Sequence, residues 1–151
     1  MKYLEELEKF NKKINRIEKL ILLSRFFKSK KIMLTLLEEQ ASAAKLLMIS
    51  ILKFKHAKNE INITKNPQEN IKILKEKIAK ELEIENEIES LLRLLEIDKK
   101  HKDSPIEFMK KGNIIILDEH QNIQKISLKE LNTFQKEIKS IANIFQLQIK
   151  G

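Results

Sequence analysis

The sequence predicts a mainly α-helical bundle of about five helices, with a short β-hairpin or extended arm before the last helix. Three observations lead there. Apolar residues recur at spacings of three and four over most of the chain, the period of a helix with one buried face. Only two glycines and two prolines interrupt the 151 residues, so there are few points at which such helices must stop. Between Pro105 and Ile126 the pattern changes to short apolar runs, too brief for helices and suited to strands. A chain of 151 residues fits one domain, 1–151, large enough to bury its own core.

The elements follow in order. From Leu4 to about Leu23, Leu7, Phe10, Ile14, Ile17 and Ile21 line one face of a long amphipathic helix. The stretch RFFKSKK then sets Phe26 and Phe27 among Arg25, Lys28, Lys30 and Lys31. Rings among cations can stack on single-stranded bases, but the expectation here is that the phenylalanines close the end of the bundle while the cations complement a helix C-terminus. From about Ile32 to Lys58 runs the most apolar element, with Ile32, Leu36, Leu37, Ala41, Ala44, Leu47 and Ile51 on one strip and Leu46, Ile49, Leu52 and Phe54 on the next. Apolar residues wrap more than half of this helix, so it needs several neighbours, from this chain or a second copy.

Ile61 and Ile63 alternate with polar residues over too short a stretch to define a strand. Asn66 then caps a helix with Pro67 at its first position and Glu69 at its third. Ile71, Leu74, Ile78 and Leu82 supply its face; a further helix from about Glu85 uses Ile88, Leu91, Leu92, Leu95 and Ile97, and a break near Ile84 is left open. After Pro105, Ile106 and Phe108 alternate with Glu107 and Lys110, Gly112-Asn113 allows a turn, and Ile114 to Leu117 and Ile123 to Ile126 form the hairpin or arm. Ser127 and Glu130 make a capping box for the last helix, whose Leu131, Phe134, Ile138, Ile141 and Phe145 face inward.

Composition excludes more than it assigns. With no cysteine there are no disulfides, thiolate nucleophiles or Cys-based zinc sites, which is compatible with a reducing interior, and the cytoplasm is the expected location. The first twenty residues are charged throughout, unlike a signal peptide, and no apolar run approaches the ~20 residues of a membrane span. His56, His101 and His120 have no paired ligand spacing, Ser24, Ser42, Ser104 and Ser127 have no visible triad partners, and no phosphate-binding glycine loop occurs. Neither metal nor cofactor is called for. The formal charge of +8 favours polyanions, although an AT-rich coding sequence would produce the same abundance of Lys, Ile and Asn.

One stretch, LLRLLEIDKKHKD, ends a helix in a polar tip that holds His101. Long helices, this tip, a proline, a short apolar extended stretch and a Ser-capped closing helix together resemble the HEPN superfamily. The resemblance implies a helical bundle acting as a dimer. In its active members it implies a metal-independent ribonuclease using an Arg, four to six intervening residues and a His; other members are binding or regulatory modules. By that resemblance His101 is the candidate catalytic residue, helping an RNA 2′-hydroxyl attack phosphorus, with Lys99, Lys100 or Lys102 stabilising the developing charge.

The chain departs from the motif at its arginine. The family spacing would place one at Leu94, Leu95 or Glu96, and Arg93 lies eight positions before His101, about 12 Å along and about 80° around a helix. The function expected is therefore an RNA- or polyanion-binding module, weakly catalytic or not at all, whose basic edge is Lys99, Lys100, His101, Lys102, Lys110 and Lys111. The alternative is a non-enzymatic helical homodimer that docks a protein partner through the apolar hairpin or the aromatic turn.

Overall fold

A computed structural model describes residues 2–151. Among these residues the chain forms five helices and one three-stranded sheet. The order is α1 (Lys2–Phe26), α2 (Lys30–Ala57), α3 (67–81), α4 (Glu85–Asp103), β1 (Ile106–Lys110), β2 (Asn113–Leu117), β3 (Ile123–Ile126) and α5 (Leu128–Lys150). The fold is a mainly α bundle with its β structure just before the last helix. The strands form an antiparallel meander, β1-β2-β3, one strand more than a hairpin. Helix α3 is α-helical over Pro67–Ile73, makes a π turn over Leu74–Ile78 closed by the Ala79 amide on the Leu74 carbonyl, and ends with Ala79–Glu81.

Helix α2 is the centre. Met33, Leu36, Leu37, Ala41, Ala44, Leu47 and Ile51 are fully buried, and α1, α4 and α5 all pack against it. Ala41, Ala43 and Ala44 keep part of its surface low enough for close approach. The wide apolar face that would suit a second copy is thus covered within the chain. The buried Gln40 is anchored to α5 through its Nε2, which donates to the Leu131 carbonyl at 2.8 Å and to Gln135 Oε1 at 3.4 Å, while its Oε1 is enclosed without a partner. Gln135 Nε2 in turn donates to Glu18 at 3.3 Å, and Lys139 reaches the same carboxylate at 2.8 Å.

The turn between α1 and α2 is short, so the two helices form an antiparallel pair. Leu7, Phe10, Ile17 and Ile21 are buried as expected and Ile14 partly so. The two phenylalanines do not close the bundle: Phe26 is 75% exposed and Phe27 61%. The cause is helical phase. Helix α1 continues to Phe26, about 140° around from Ile21, so its ring leaves the buried face, and Phe27 already lies in the turn. Ser29 Oγ then accepts the Ile32 amide at 3.1 Å and starts α2. At the opposite end Tyr3, Phe54 and Phe145 pack edge to face, with ring centroids 5.1 and 5.4 Å apart.

Asn66 Oδ1 accepts the Gln68 amide at 2.9 Å, the expected start of α3. The break near Ile84 is real. The Ile84 amide bonds the Ala79 carbonyl and the Glu83 amide that of Lys80, a Schellman closure with Glu83 at φ +57°. Helix α2 ends in the same way at Asn59, φ +60°. In α4 the buried row is Ile88, Leu91, Leu94 and Ile97, because α2 and α5 flank it; Leu92 and Leu95, expected inside, are half-buried. The β1–β2 turn is Lys111-Gly112, both at positive φ (+52° and +79°), one residue before the expected Gly112-Asn113. Ser127 Oγ caps the Glu130 amide at 3.1 Å, but the Glu130 carboxylate pairs with Arg93 at 3.4 Å, so the expected box is half formed.

Two outcomes follow for stability. Replacing Glu83 by glycine removes the left-handed penalty on a residue bearing Cβ, and Glu83→Gly is expected to add roughly 0.5–1 kcal/mol in urea unfolding. An unchanged or lower midpoint would contradict the strain. Lys55 is almost fully buried, and its Nζ meets Glu60 at 2.9 Å and Glu81 at 3.2 Å. Burial works against its charged form, yet the bonds to Glu60 and Glu81 outweigh it and raise its pKa. The folded chain therefore holds this proton more tightly than the unfolded one. Its contribution is complete below the ordinary lysine value and lost as pH rises through the raised one. Lys55→Met should flatten the alkaline limb of a stability–pH curve, and an unaltered limb would remove the assignment.

Candidate functional site

His101 lies in the last turn of α4, where the chain must reverse into β1. Ser104 organises the reversal: its hydroxyl approaches the carbonyls of Ile106 at 2.8 Å and Leu117 at 2.7 Å, and its Oγ accepts the Ile106 amide at 3.2 Å. Pro105 prevents α4 from continuing. This brings Glu107 of β1 back beside the helix it has just left. The His101 ring, 13% exposed, has Nδ1 at 2.5 Å from Glu107 Oε2 and Nε2 at 3.4 Å from Glu38 Oε1 on α2. Both ring nitrogens thus face carboxylates. Lys30 Nζ donates to the Glu107 carbonyl at 3.0 Å, so the start of α2 is tied to the same strand.

This arrangement makes His101 a clamp joining α4, α2 and β1. A general base needs a ring nitrogen open to the proton it removes; here Nδ1 is hydrogen-bonded to Glu107, and Nε2 lies 3.4 Å from Glu38 Oε1. Arg93 is directed away, onto Glu130 of α5. Nor do the lysines predicted around His101 form a uniform basic edge. Lys102 pairs with the buried Asp98 at 2.9 Å, and that hydrogen bond raises its pKa. The other Asp98 oxygen is enclosed without a partner. Lys100 lies 3.7 Å from Glu96.

Lys99 and Lys100 line a shallow groove of about 400 Å³ with His120 and the acids Glu96, Asp103, Asp118 and Glu119. Carboxylates outnumber ammoniums in it, which makes it a poor seat for a polyanion. Asp118 also serves the β2–β3 loop. Its Oδ1 accepts the amides of Asn122 at 2.8 Å and His120 at 2.9 Å, and these bonds, Asn122 first, hold its pKa below the usual carboxylate range. Lys110 and Lys111 stand at the far end of β1, roughly 13 Å along the strand from Ile106. The predicted residues therefore split into a clamp, a mixed-charge groove and a hairpin tip.

Sequence reasoning passed over Glu38 and Glu107, which lie against His101; Phe26 and Phe27 it expected inside, and they face outward. Nothing in the spacing marks Glu38, sixty-three positions before its histidine. A signal for the turn was present: no Asp or Glu occurs between Lys19 and Leu37. Among the described residues, no cluster of three or more His, Cys, Asp or Glu side chains could hold a metal ion, and no helix is long and apolar enough to cross a membrane. Comparison with known proteins finds no matching family model, no matching curated protein and no matching solved structure.

If His101 acts as a clamp, His101→Ala should destabilise the chain by about 1–2 kcal/mol, the loss of charge-assisted bonds at a partly buried site. In a double-mutant cycle with Glu107→Gln the two losses should fall short of additive by at least about 0.5 kcal/mol. Additive losses would show that the pair does not interact.

Proposed function

We propose that the chain is a non-catalytic module that binds single-stranded RNA, and that the α1–α2 turn is its main contact. One observation carries this reading. Phe26 and Phe27 are exposed to 75% and 61% at the tip of a helical hairpin, within a stretch whose only charged residues are Lys19, Arg25, Lys28, Lys30 and Lys31. Exposed rings offer faces on which unpaired bases stack, and surrounding cations meet the backbone phosphates. Lys30 is occupied by the Glu107 carbonyl, leaving Arg25, Lys28 and Lys31 as the principal phosphate contacts. Lys110 and Lys111 stand apart from this contact, at the far end of the strand that Lys30 ties to the turn. Lys99, Lys100 and Lys102 contribute little, because acids neutralise them.

The reading keeps the HEPN-like layout and gives its histidine a structural role. Nδ1 of His101 is bonded to Glu107, Nε2 lies 3.4 Å from Glu38 Oε1, and the nearest arginine in sequence, Arg93, is paired elsewhere, which supports the non-catalytic reading. The test is anisotropy of a labelled oligouridine in chelator at several salt concentrations. With about three phosphates neutralised, log affinity should fall against log salt with a slope near −2. Phe26→Ala with Phe27→Ala should weaken binding by about ten- to a hundredfold, on the order of 1–3 kcal/mol of stacking, while Lys99→Glu with Lys100→Glu changes it little. Absent binding at low salt, or indifference to the phenylalanines, would sink the proposal. RNA cleavage that His101→Ala abolishes would overturn its non-catalytic part.

A further inference from the structure

The sheet has two faces with different fates. Its inner face carries Ile114, Ile116 and Ile126, all fully buried in the common core. Strand alternation puts the other set outside, and the register arranges it in rows. Ile106, Leu117 and Ile123 lie side by side in one row and Phe108, Ile115 and Lys125 in the next, with Lys110 opposite Asn113 beyond them. Ile106 is 52% exposed, Phe108 41% and Ile123 69%; Ile115 and Leu117 are half-buried. Among the described residues no helix covers these rows, although a sheet face this apolar ordinarily packs against another layer. The only charges on the face are Lys110 and Lys125, and none of its positions carries a carboxylate.

We infer that this outer face is a docking surface for an acidic amphipathic helix of another protein. The inference is independent of RNA binding at the turn. Each competing occupant conflicts with an observation. Addition of a strand needs an open edge, but the Lys30 ammonium holds the Glu107 carbonyl on β1, and Gln124 Nε2 bonds the Lys125 carbonyl on β3 at 3.2 Å. A second copy packed face to face would bring Lys110 and Lys125 against a surface offering no carboxylate in return. RNA would find one ring, Phe108, among aliphatic side chains that neither stack on bases nor bond them.

A helix answers the geometry. Three strands at ~4.8 Å spacing and two apolar rows ~7 Å apart make a patch about as wide as one helix and two to three turns long. An apolar stripe at positions i, i+3, i+4 and i+7 would lie on the rows, and glutamates beside the stripe would meet Lys110 and Lys125. This is helix docking with specificity from charge.

The probe is a synthetic helical peptide of about 14 residues, with leucines on one stripe and glutamates beside it, and a counterpart with lysine for each glutamate. Each is titrated into the isotope-labelled full chain while amide NMR signals are followed. The acidic peptide should shift the amides of β1, β2 and β3 and bind at least about tenfold more tightly than the basic one. Lys110→Glu with Lys125→Glu should reverse that order. Phe108→Ser should weaken both peptides by about tenfold or more; Ile123→Ser, at the most exposed position, provides the same test should Phe108→Ser unfold. Equal affinity for the two peptides, or shifts confined to other elements, would overturn the inference. So would a dimer in light scattering that Ile123→Ser dissolves, which assigns the face to a second copy, and so would displacement of the acidic peptide by oligouridine.

Discussion

Burial of α2 on nearly every side is the constraint on which the remaining structure depends. A helix with one apolar stripe can be satisfied by a single neighbour, but Met33, Leu37, Ala41, Ala44, Leu47 and Ile51, together with Ala43, Met48 and Phe54, leave no broad polar face. Three helices must surround it, and this chain supplies α1, α4 and α5. Apolar contact is non-directional, so register has to come from polar groups placed inside it. Gln40 provides one such point: a buried amide left unpaired costs on the order of 1–3 kcal/mol, and its Nε2 is met only if α5 presents the Leu131 carbonyl there. Lys55 provides another near the far end, where Glu60 and Glu81 draw the loop and α3 onto α2.

With α2 enclosed, the chain has little choice at the opposite end. Helix α4 must stop level with the start of α2, and the meander fills the space left between α4 and α5. Ser104 and His101 turn this from a loose connection into a rigid one, since between them they reach β1, β2 and α2. The acids recruited for that junction, Glu38, Asp98 and Glu107, neutralise the local excess of Lys and His. A basic count in a short stretch of sequence is thus a weak guide to surface potential, because the balancing carboxylates arrive from other elements.

Much of this was readable before the fold was known. The periodic faces of α1, α2 and α5, the Asn66-Pro67 start of α3 and the Ser127 cap are local consequences of residue type, and each stands where spacing put it. What was not readable depends on neighbours. Whether Leu94 or Leu95 is buried is settled by the side from which α2 and α5 approach, and both fit an amphipathic pattern. Phe26 and Phe27 were expected inside on hydrophobicity alone, whereas the phase of α1 turns them outward. The strand beyond the expected hairpin is β1: Ile106 and Phe108 alternate with charged residues, but so short and half-polar a run does not by itself mark a strand. The partners of His101 lie across the fold, beyond any local motif.

The distribution of aromatic side chains separates the two ends of the bundle. At one end Tyr3, Phe54 and Phe145 interlock under cover, and Lys58 lies 4.7 Å from the Phe54 ring centroid, closing the cluster from above. At the other, Phe26, Phe27 and Phe108 are left in solvent, two on a turn and one on a sheet. Scattered exposed apolar residues are ordinary on a protein surface. These three share the end where Lys30 joins the turn to β1; the stretch that carries the two turn rings brings only cations of its own, and the outer sheet face carries Lys110 and Lys125. Core packing gains nothing from that combination, and solubility is served by the lysines alone. Rings and aliphatic rows exposed beside cations complement molecules that are at once apolar and anionic. The two proposed partners, an unpaired nucleic acid strand at the turn and an acidic amphipathic helix on the sheet, both answer to that description, so in this proposal one end of a rigid bundle presents two chemically distinct surfaces while the other holds the fold together.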